Sequence, residues 1–193
     1  MVSGSQEKIP HSLDLVIDYV NTLDPDEPSD AFDTPAGVGE WLVDRGLLNA
    51  ANLPLREADR RDAVRLREAL LALMLAHNGI AADGRAAREL DEVARRGELG
   101  VQFGSDGSAP LAPRASGFAG ALAGVVVPVA EAARDGTWQR AKACRAEDCQ
   151  WAFYDHSRNR SGVWCDMAVC GNRAKVRAHR RRAAGSHRPE RGP

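Results

Sequence analysis

The chain has 193 residues, of which 44% are hydrophobic and 5% aromatic, so it can bury the core of one ordinary domain and carry a small additional module. The formal net charge is −1, which excludes a uniformly basic or acidic protein. The charge is unevenly divided: residues 140–193 carry 13 Lys and Arg against 5 Asp and Glu (net +8), and residues 1–139 carry 13 against 22 (net −9). A basic segment after an acidic body indicates two different partners, and a polyanion suits the basic part.

The first 15 residues lack both the basic and the apolar region of a secretory signal. The longest apolar stretch, 118–130, covers 13 residues and includes Pro128, whereas a membrane-spanning helix needs about 20 apolar residues. We therefore expect a cytoplasmic protein with no membrane partner. In that compartment cysteine clusters bind metal more often than they form disulfides.

Helical spacing of apolar residues dominates the first 137 residues, and the segment 101–111 around Asp106-Gly107 has the pattern of a short β-hairpin. The last helix contains Pro128, which we expect to kink or break it. The sequence therefore predicts a mainly α N-terminal domain with a small β-hairpin (α+β), over residues 1–137. The predicted helices are 11–23, 34–46 with Thr34 as N-cap, 55–77, 84–96 and 116–134.

The polar residues of this domain show no catalytic spacing, so the sequence predicts no enzyme, although an active site in this domain is an alternative. Asp18, Asn21 and Thr22 lie at the end of the first predicted helix. They are expected to cap it or to bond a neighbouring loop, and lining a ligand pocket is the alternative. His77 is isolated in the sequence and is expected to be structural. A helical body of this kind could sense a small-molecule effector or form a homodimer.

The four cysteines of the chain, Cys144, Cys149, Cys165 and Cys170, form two C-x4-C pairs separated by 15 residues. Two such pairs can supply the four thiolates that a structural zinc ion binds in a tetrahedron. Four thiolates leave zinc no position for a water nucleophile, which argues against zinc catalysis. We therefore predict one structural zinc ion, with free buried thiols and redox-active thiols as alternatives.

The surroundings of the cysteines predict a knuckle, a hairpin and a helix, as in zinc-ribbon or treble-clef modules. Segments 150–154 and 163–164 are the strand candidates, with a turn at 157–162 between them. Asp166 stands at an N-cap position, and the helix should run to about residue 183. This module would occupy residues 138–184, and residues 185–193 would form a disordered tail.

The segment from Cys170 to residue 182 is strongly basic and contains no acidic residue. Phosphate neutralisation by such a helix gives salt-dependent affinity for nucleic acid, and Arg and Asn side chains can also bond base edges. A merely solvated basic face is the alternative. The predicted nucleic-acid contacts are Arg158, Arg160, Asn172, Arg173, Lys175, Arg177, Arg180 and Arg181.

The segment Cys170-Gly171-Asn172-Arg173 resembles the signature of the CGNR zinc finger, and the spacing from Cys144 through Trp164-Cys165-Asp166-Met167 is similar to the rest of that module. Upstream, the run from Ile17 to Thr22, followed by Trp41-Leu42 and Gly46-Leu47-Leu48, resembles the ABATE domain. The resemblance implies a bacterial, stress-induced transcription regulator with zinc on the four cysteines and no catalytic residues. DNA is the leading partner. The alternative is a zinc-stabilised adaptor for RNA or protein, in which oxidation of the thiols could act as a switch.

Overall fold

The computed structural model describes residues 11–25, 29–81 and 84–185. These residues form six α-helices and three antiparallel pairs of short strands, which confirms the mainly helical α+β class. The helices are α1 (His11–Val20), α2 (Pro35–Asp44), α3 (Glu57–His77), α4 (Gly84–Arg96), α5 (Gly117–Asp135) and α6 (Asn172–Gly185). The strand pairs are β1 (Leu23–Asp24) with β2 (Ser29–Asp30), β3 (Gly100–Val101) with β4 (Leu111–Ala112), and β5 (Ala141–Ala143) with β6 (Ala152–Tyr154). Most of the predicted tail, and residues 26–28 of the acidic loop, lie outside the described residues.

Side-chain caps set the ends of the first helices. The Thr34 hydroxyl accepts a hydrogen bond from the Gly37 N–H at 3.1 Å, with Pro35 in the first helical position, which confirms the predicted start of α2. α1 ends at Val20 rather than at residue 23. There the Thr22 hydroxyl donates to the Tyr19 carbonyl at 2.9 Å, and the chain turns into β1.

The core lies between α1, α2, α3 and α5. Tyr19, Phe32 and Trp41 pack edge to face, with ring centroids 5.2 to 5.9 Å apart. The Tyr19 hydroxyl donates to the Ala63 carbonyl of α3 at 2.9 Å, so the buried phenol is satisfied. These contacts fix α1 against α3 and place the end of α1 beside the C-terminal module.

The sequence predicts a kink or a break at Pro128. Helix α5 runs without interruption through this residue, so the prediction of a break is wrong. Val125, Val126 and Val129 on either side of Pro128 are buried, and this packing outweighs the hydrogen bond that proline cannot donate. Among the described helices only α5 is long and apolar enough in composition to cross a bilayer, and half of its most apolar stretch is buried within the protein.

The predicted hairpin of 150–154 with 163–164 is wrong in its pairing. β6 pairs with β5, which precedes the first cysteine, in the register Ala143 to Ala152. The carbonyl of Val163 instead accepts from the Arg145 N–H at 3.2 Å and from the Asn78 side chain at 2.7 Å. Asn78, at the C-terminal end of α3, also donates to the Ala143 carbonyl at 2.8 Å. The Val163 carbonyl is therefore bonded to Arg145 and to a side chain at the end of α3 rather than to β6.

The hydrophobic core continues across residue 137, where the sequence predicts a domain boundary. Trp138, Ala141, Ala143 and Tyr154 are buried in the same cluster as the apolar residues of α1, α3 and α5. Strands β5 and β6 therefore cover one side of the helical body.

Two more polar side chains join the helical body to these strands. Asn21 donates to the Ala152 carbonyl at 3.0 Å and accepts from the Ala152 N–H at 2.8 Å. His77 Nδ1 lies 2.8 Å from the Ala141 carbonyl, which can only accept, so Nδ1 carries the proton. Burial lowers the pKa of His77 below its usual value, with Lys142 adding to the effect and the hydrogen bond to Ala141 opposing it.

Candidate metal centre and nucleic-acid interface

The turn at 144–149, here called the knuckle, joins β5 to β6. The strand pair brings the two ends of the knuckle together, and the Cys144 N–H donates to the Trp151 carbonyl at 2.9 Å. Within the turn the Cys149 N–H donates to the Ala146 carbonyl at 3.0 Å. Backbone hydrogen bonds therefore position Cys144 and Cys149 independently of a metal ion.

The second cysteine pair flanks the beginning of the C-terminal helix. Asp166 Oδ1 accepts from the N–H groups of Ala168 and Val169 at 2.6 and 3.0 Å, which confirms the predicted cap. A wide helical turn, Met167–Gly171, follows and carries Cys170 inwards. A Cβ atom on Gly171 would lie 2.4 Å from the Met167 sulfur. That sulfur belongs to a flexible, exposed side chain that can move aside, and the nearest atom of a rigid side chain is Trp164 Cδ1 at 3.2 Å.

The four cysteine sulfurs form one cluster and all lie within 4.8 Å of one another. The Cys149 and Cys165 sulfurs are 3.5 Å apart, and those of Cys165 and Cys170 are 3.8 Å apart. A zinc ion with ~2.3 Å bonds to four sulfurs requires sulfur separations of about 3.8 Å. The cluster therefore fits a tetrahedral metal site with thiolate ligands. A bound ion would supply metal–sulfur bonds that join the knuckle to the helix start.

The environment of the thiols differs from one to the next. Burial raises the pKa of Cys149 to about 11, with a backbone hydrogen bond from Trp151 opposing the rise. Burial also raises the pKa of Cys165. At Cys170 burial is outweighed by the hydrogen bond from Arg173 and by the neighbouring thiols, so its pKa is lowered. A metal ion must displace protons from Cys149 and Cys165 at neutral pH.

Two of the predicted nucleic-acid contacts bond to the metal module itself. The Arg173 guanidinium donates through Nη2 to the Cys170 sulfur at 3.2 Å, and its Nη1 lies 3.6 Å from Asp148 Oδ2. The Arg177 guanidinium bonds both oxygens of Asp148, at 3.1 and 3.3 Å. Asp148 belongs to the knuckle, so both arginines tie α6 to it.

The other predicted contacts lie on two separate elements. Arg158 and Arg160 are exposed on the loop after β6, and Arg160 donates to Gln139 Oε1 at 3.1 Å. Asn172, Lys175 and Arg180 are exposed on α6. The Asn172 side chain donates to the Ala168 carbonyl at 2.9 Å. The side chain of Arg181 lies outside the described residues.

Lys142 and Asp155 have structural roles that the sequence patterns do not identify. The buried Lys142 ammonium donates to Asp155 Oδ2 at 2.7 Å and to the carbonyls of Arg160 and Gly162 at 2.5 and 3.0 Å. Its three N–H groups are thereby satisfied, and the loop that carries Arg158 and Arg160 is wrapped around it. Lys142 faces the interior although it lies in the basic segment. The one local signal is the Asp155-x-Ser157 turn, in which Asp155 Oδ1 accepts from the Ser157 N–H at 2.9 Å.

Two of the cavities that adjoin this module are lined by residues predicted from the sequence to belong to a site. A cavity of about 260 Å³ is lined in part by Cys149, Cys165 and Cys170, of which Cys165 is half-buried. A second, of about 490 Å³, is lined in part by Asp18, Asn21 and Thr22, the residues for which a ligand pocket was one expectation. The side chains of Asn21 and Thr22 also make the structural bonds described above.

The sequence profile of the ABATE family, described as "Putative stress-induced transcription regulator", matches residues 13–145. This chain belongs to the ABATE family. The profile of the CGNR zinc finger matches residues 140–183 of this ABATE protein, and so covers all four cysteines and the described basic residues after them. The two matches overlap on β5 and Cys144, where the structure joins the helical body to the metal module. A comparison with the curated proteins found no match.

Proposed function

We propose that this ABATE protein is a DNA-binding transcription regulator in which one structural zinc ion holds α6 in position to bind the phosphate backbone. The observation that carries the proposal is the run of exposed basic residues on α6, a helix that begins two residues after the predicted metal ligand Cys170. Lys175, Arg177 and Arg180 are exposed on this helix, and α6 contains no acidic residue.

The charge of the metal module supports nucleic acid as the partner. Arg158 and Arg160, exposed on the loop held by Lys142, supply two further cations on an element separate from α6. Each lysine or arginine that neutralises a phosphate releases a counterion, so affinity should fall steeply with salt. Asn172, at the start of α6, has a side chain that can bond base edges. Duplex DNA is the favoured partner because a single exposed helix that carries cations around its surface suits a major groove.

The donor set supports a structural role for the zinc ion. Four sulfurs occupy the whole coordination shell, so the metal would hold the knuckle and the helix start together without activating water. We therefore propose no catalytic activity. The stress response, the effector and the homodimer stay predictions from the sequence and the family resemblance.

Selection of bound fragments from genomic DNA by the zinc-loaded protein, followed by affinity measurement on the selected duplex, tests the proposal. We expect specific duplex binding that weakens when Lys175 and Arg180 are both changed to alanine. Arg85 and Arg88 on α4, changed together to alanine, are the matched control, because they remove the same charge far along the chain from the metal module. Equal or tighter binding of an RNA of the same sequence, or no binding above the non-specific level, would favour the adaptor instead.

A further inference from the structure

Arg173 lies three residues after the cysteine whose sulfur it contacts. Its Nη2 group is 3.2 Å from the Cys170 sulfur, while its side chain keeps 38% of its exposure to solvent. Among the described arginines, Arg173 is the one with an observed hydrogen bond to a cysteine sulfur. A side chain in this position adjoins the first coordination shell of any metal that the four sulfurs hold.

The same guanidinium also reaches the other half of the metal site. Its Nη1 group is 3.6 Å from Asp148 Oδ2, and Asp148 precedes the knuckle ligand Cys149. Arg173 therefore connects the ligand on the helix side with the residue beside a ligand on the knuckle side. The planar fork of arginine presents separate N–H groups to the two partners, which the single ammonium of lysine cannot reproduce in the same geometry.

The negative charge of a metal site with four thiolate ligands would make a contact with a guanidinium favourable. Four thiolates around a divalent ion carry a formal charge of about −2, and Cys144, Cys149 and Cys170 are buried. Buried negative charge is stabilised by N–H donors and by nearby cations. The guanidinium of Arg173 supplies both to the Cys170 sulfur.

We propose that Arg173 is a positioning residue of the metal centre, which retains the zinc ion and orients Cys170, rather than a contact to nucleic acid. Arg173 thereby leaves the set of predicted nucleic-acid contacts. The inference rests on the metal site of the proposed function and does not depend on DNA binding.

Arg177 provides a matched control. It lies one helical turn after Arg173, carries the same charge and pairs with the same carboxylate of Asp148, at 3.1 and 3.3 Å. Its observed hydrogen bonds are to Asp148, and it is exposed, so it can exchange that carboxylate for a phosphate. Comparing the two arginines separates the contact to sulfur from the contact to Asp148.

The test is zinc affinity of the full chain, measured by competition with a chromophoric chelator, with the sulfur-to-cobalt absorption of the Co²⁺ form as a second readout. We expect Arg173→Ala to weaken zinc binding by about 10- to 100-fold, Arg173→Lys to fall between this variant and the wild type, and Arg177→Ala to bind zinc as the wild type does. We also expect the cobalt absorption to shift in Arg173→Ala and to stay unchanged in Arg177→Ala. If Arg173→Ala does not fold, Arg173→Lys carries the comparison.

A DNA measurement at saturating zinc separates the two roles of an arginine. The salt dependence of Arg173→Ala should equal that of the wild type, whereas Arg177→Ala should lose about one unit of slope. Wild-type zinc affinity in Arg173→Ala would overturn the inference, as would a loss of slope in that variant with zinc fully bound. If no duplex is bound by any form, the proposed function fails, and the zinc titration still decides the role of Arg173.

Discussion

At the scale of single residues, the ion pair of Lys142 and Asp155 holds the loop that presents Arg158 and Arg160. The two side chains keep only 4% and 2% of their exposure. Removing one member of a buried pair leaves the other charged and unpaired, which costs about 3–5 kcal/mol. We predict that Lys142→Ala lowers the free energy of unfolding by about that amount in urea titrations. Lys175→Ala, an exposed lysine, is the control and should change stability little, whereas equal effects of the two variants would contradict this role.

The ion pair of Lys142 and Asp155 should also make the free energy of unfolding depend on pH. Burial acts to raise the pKa of Asp155, but the hydrogen bonds from Lys142, Ser157 and Gly162 outweigh it and lower the pKa to about 2. The unfolded chain should have the ordinary pKa of about 3.9. Because the folded pKa is the lower one, this contribution is fully present above pH ~4 and is lost as the pH falls towards ~2.

The difference in unfolding free energy between the wild type and Asp155→Asn should therefore be constant from neutral pH down to about pH 4 and shrink below it. Urea unfolding of both proteins at each pH measures it, and proton uptake by the cysteines cancels in the difference. A difference that does not change between pH 4 and pH 2 would show that the carboxylate of Asp155 is not stabilised by folding.

At the scale of elements, the end of α4 packs tightly against α5. A Cβ atom on Gly97 would lie 2.1 Å from the Ala123 Cβ and 3.0 Å from the Ala119 carbonyl oxygen. We predict that Gly97→Ala destabilises the protein by about 1–3 kcal/mol, because the helices must move apart. Gly84→Ala, at the start of the same helix, is the control, since the nearest atom there is the mobile end of Arg88 at 3.3 Å. Thermal unfolding of the two variants compares them, and an unchanged Gly97→Ala protein would contradict the packing.

Local patterns predicted the elements that depend on local physics. The helical spacing and the glycine after Arg96 gave the bounds of α4, and Thr34-Pro35 gave the start of α2. Asp166 was identified as a cap for the same reason. The cysteine spacing likewise predicted a cluster whose sulfurs do lie together.

Local sequence patterns did not predict the contacts between residues that are distant in the chain. β6 pairs with β5, and the Val163 carbonyl bonds instead to Asn78, which lies 85 positions earlier in the chain. A kink or a break was expected at Pro128, and burial among valines keeps α5 continuous there. The basic segment also suggested one uniform surface, whereas Lys142 is buried and Arg173 contacts a cysteine sulfur. Sequence composition cannot distinguish a cation that faces solvent from one that faces a sulfur or a carboxylate.

At the scale of the whole molecule, the metal module and the helical body share one core. Ala141, Ala143 and Tyr154 are buried with the helices, and Asn21 and His77 bond to the backbone of the module. Loss of zinc should therefore destabilise the entire protein, since a ligand of the folded state adds to its stability. We predict that a strong chelator lowers the midpoint of thermal unfolding in a single transition, seen equally by far-ultraviolet circular dichroism and by tryptophan fluorescence. A wild-type midpoint after zinc removal, with a change confined to α6, would show instead that the module unfolds independently.

The proposed binding of DNA by basic residues that the metal centre holds in place is tested most directly by the affinity of the wild-type protein for a selected duplex. The affinity is measured across a series of salt concentrations, with zinc bound and after chelation. Five exposed cations, Arg158, Arg160, Lys175, Arg177 and Arg180, should give the zinc-bound protein a slope of about −4.5 in log affinity against log salt. Chelation should remove most of the affinity and flatten the slope. Equal affinity and equal slope with and without zinc would contradict the account.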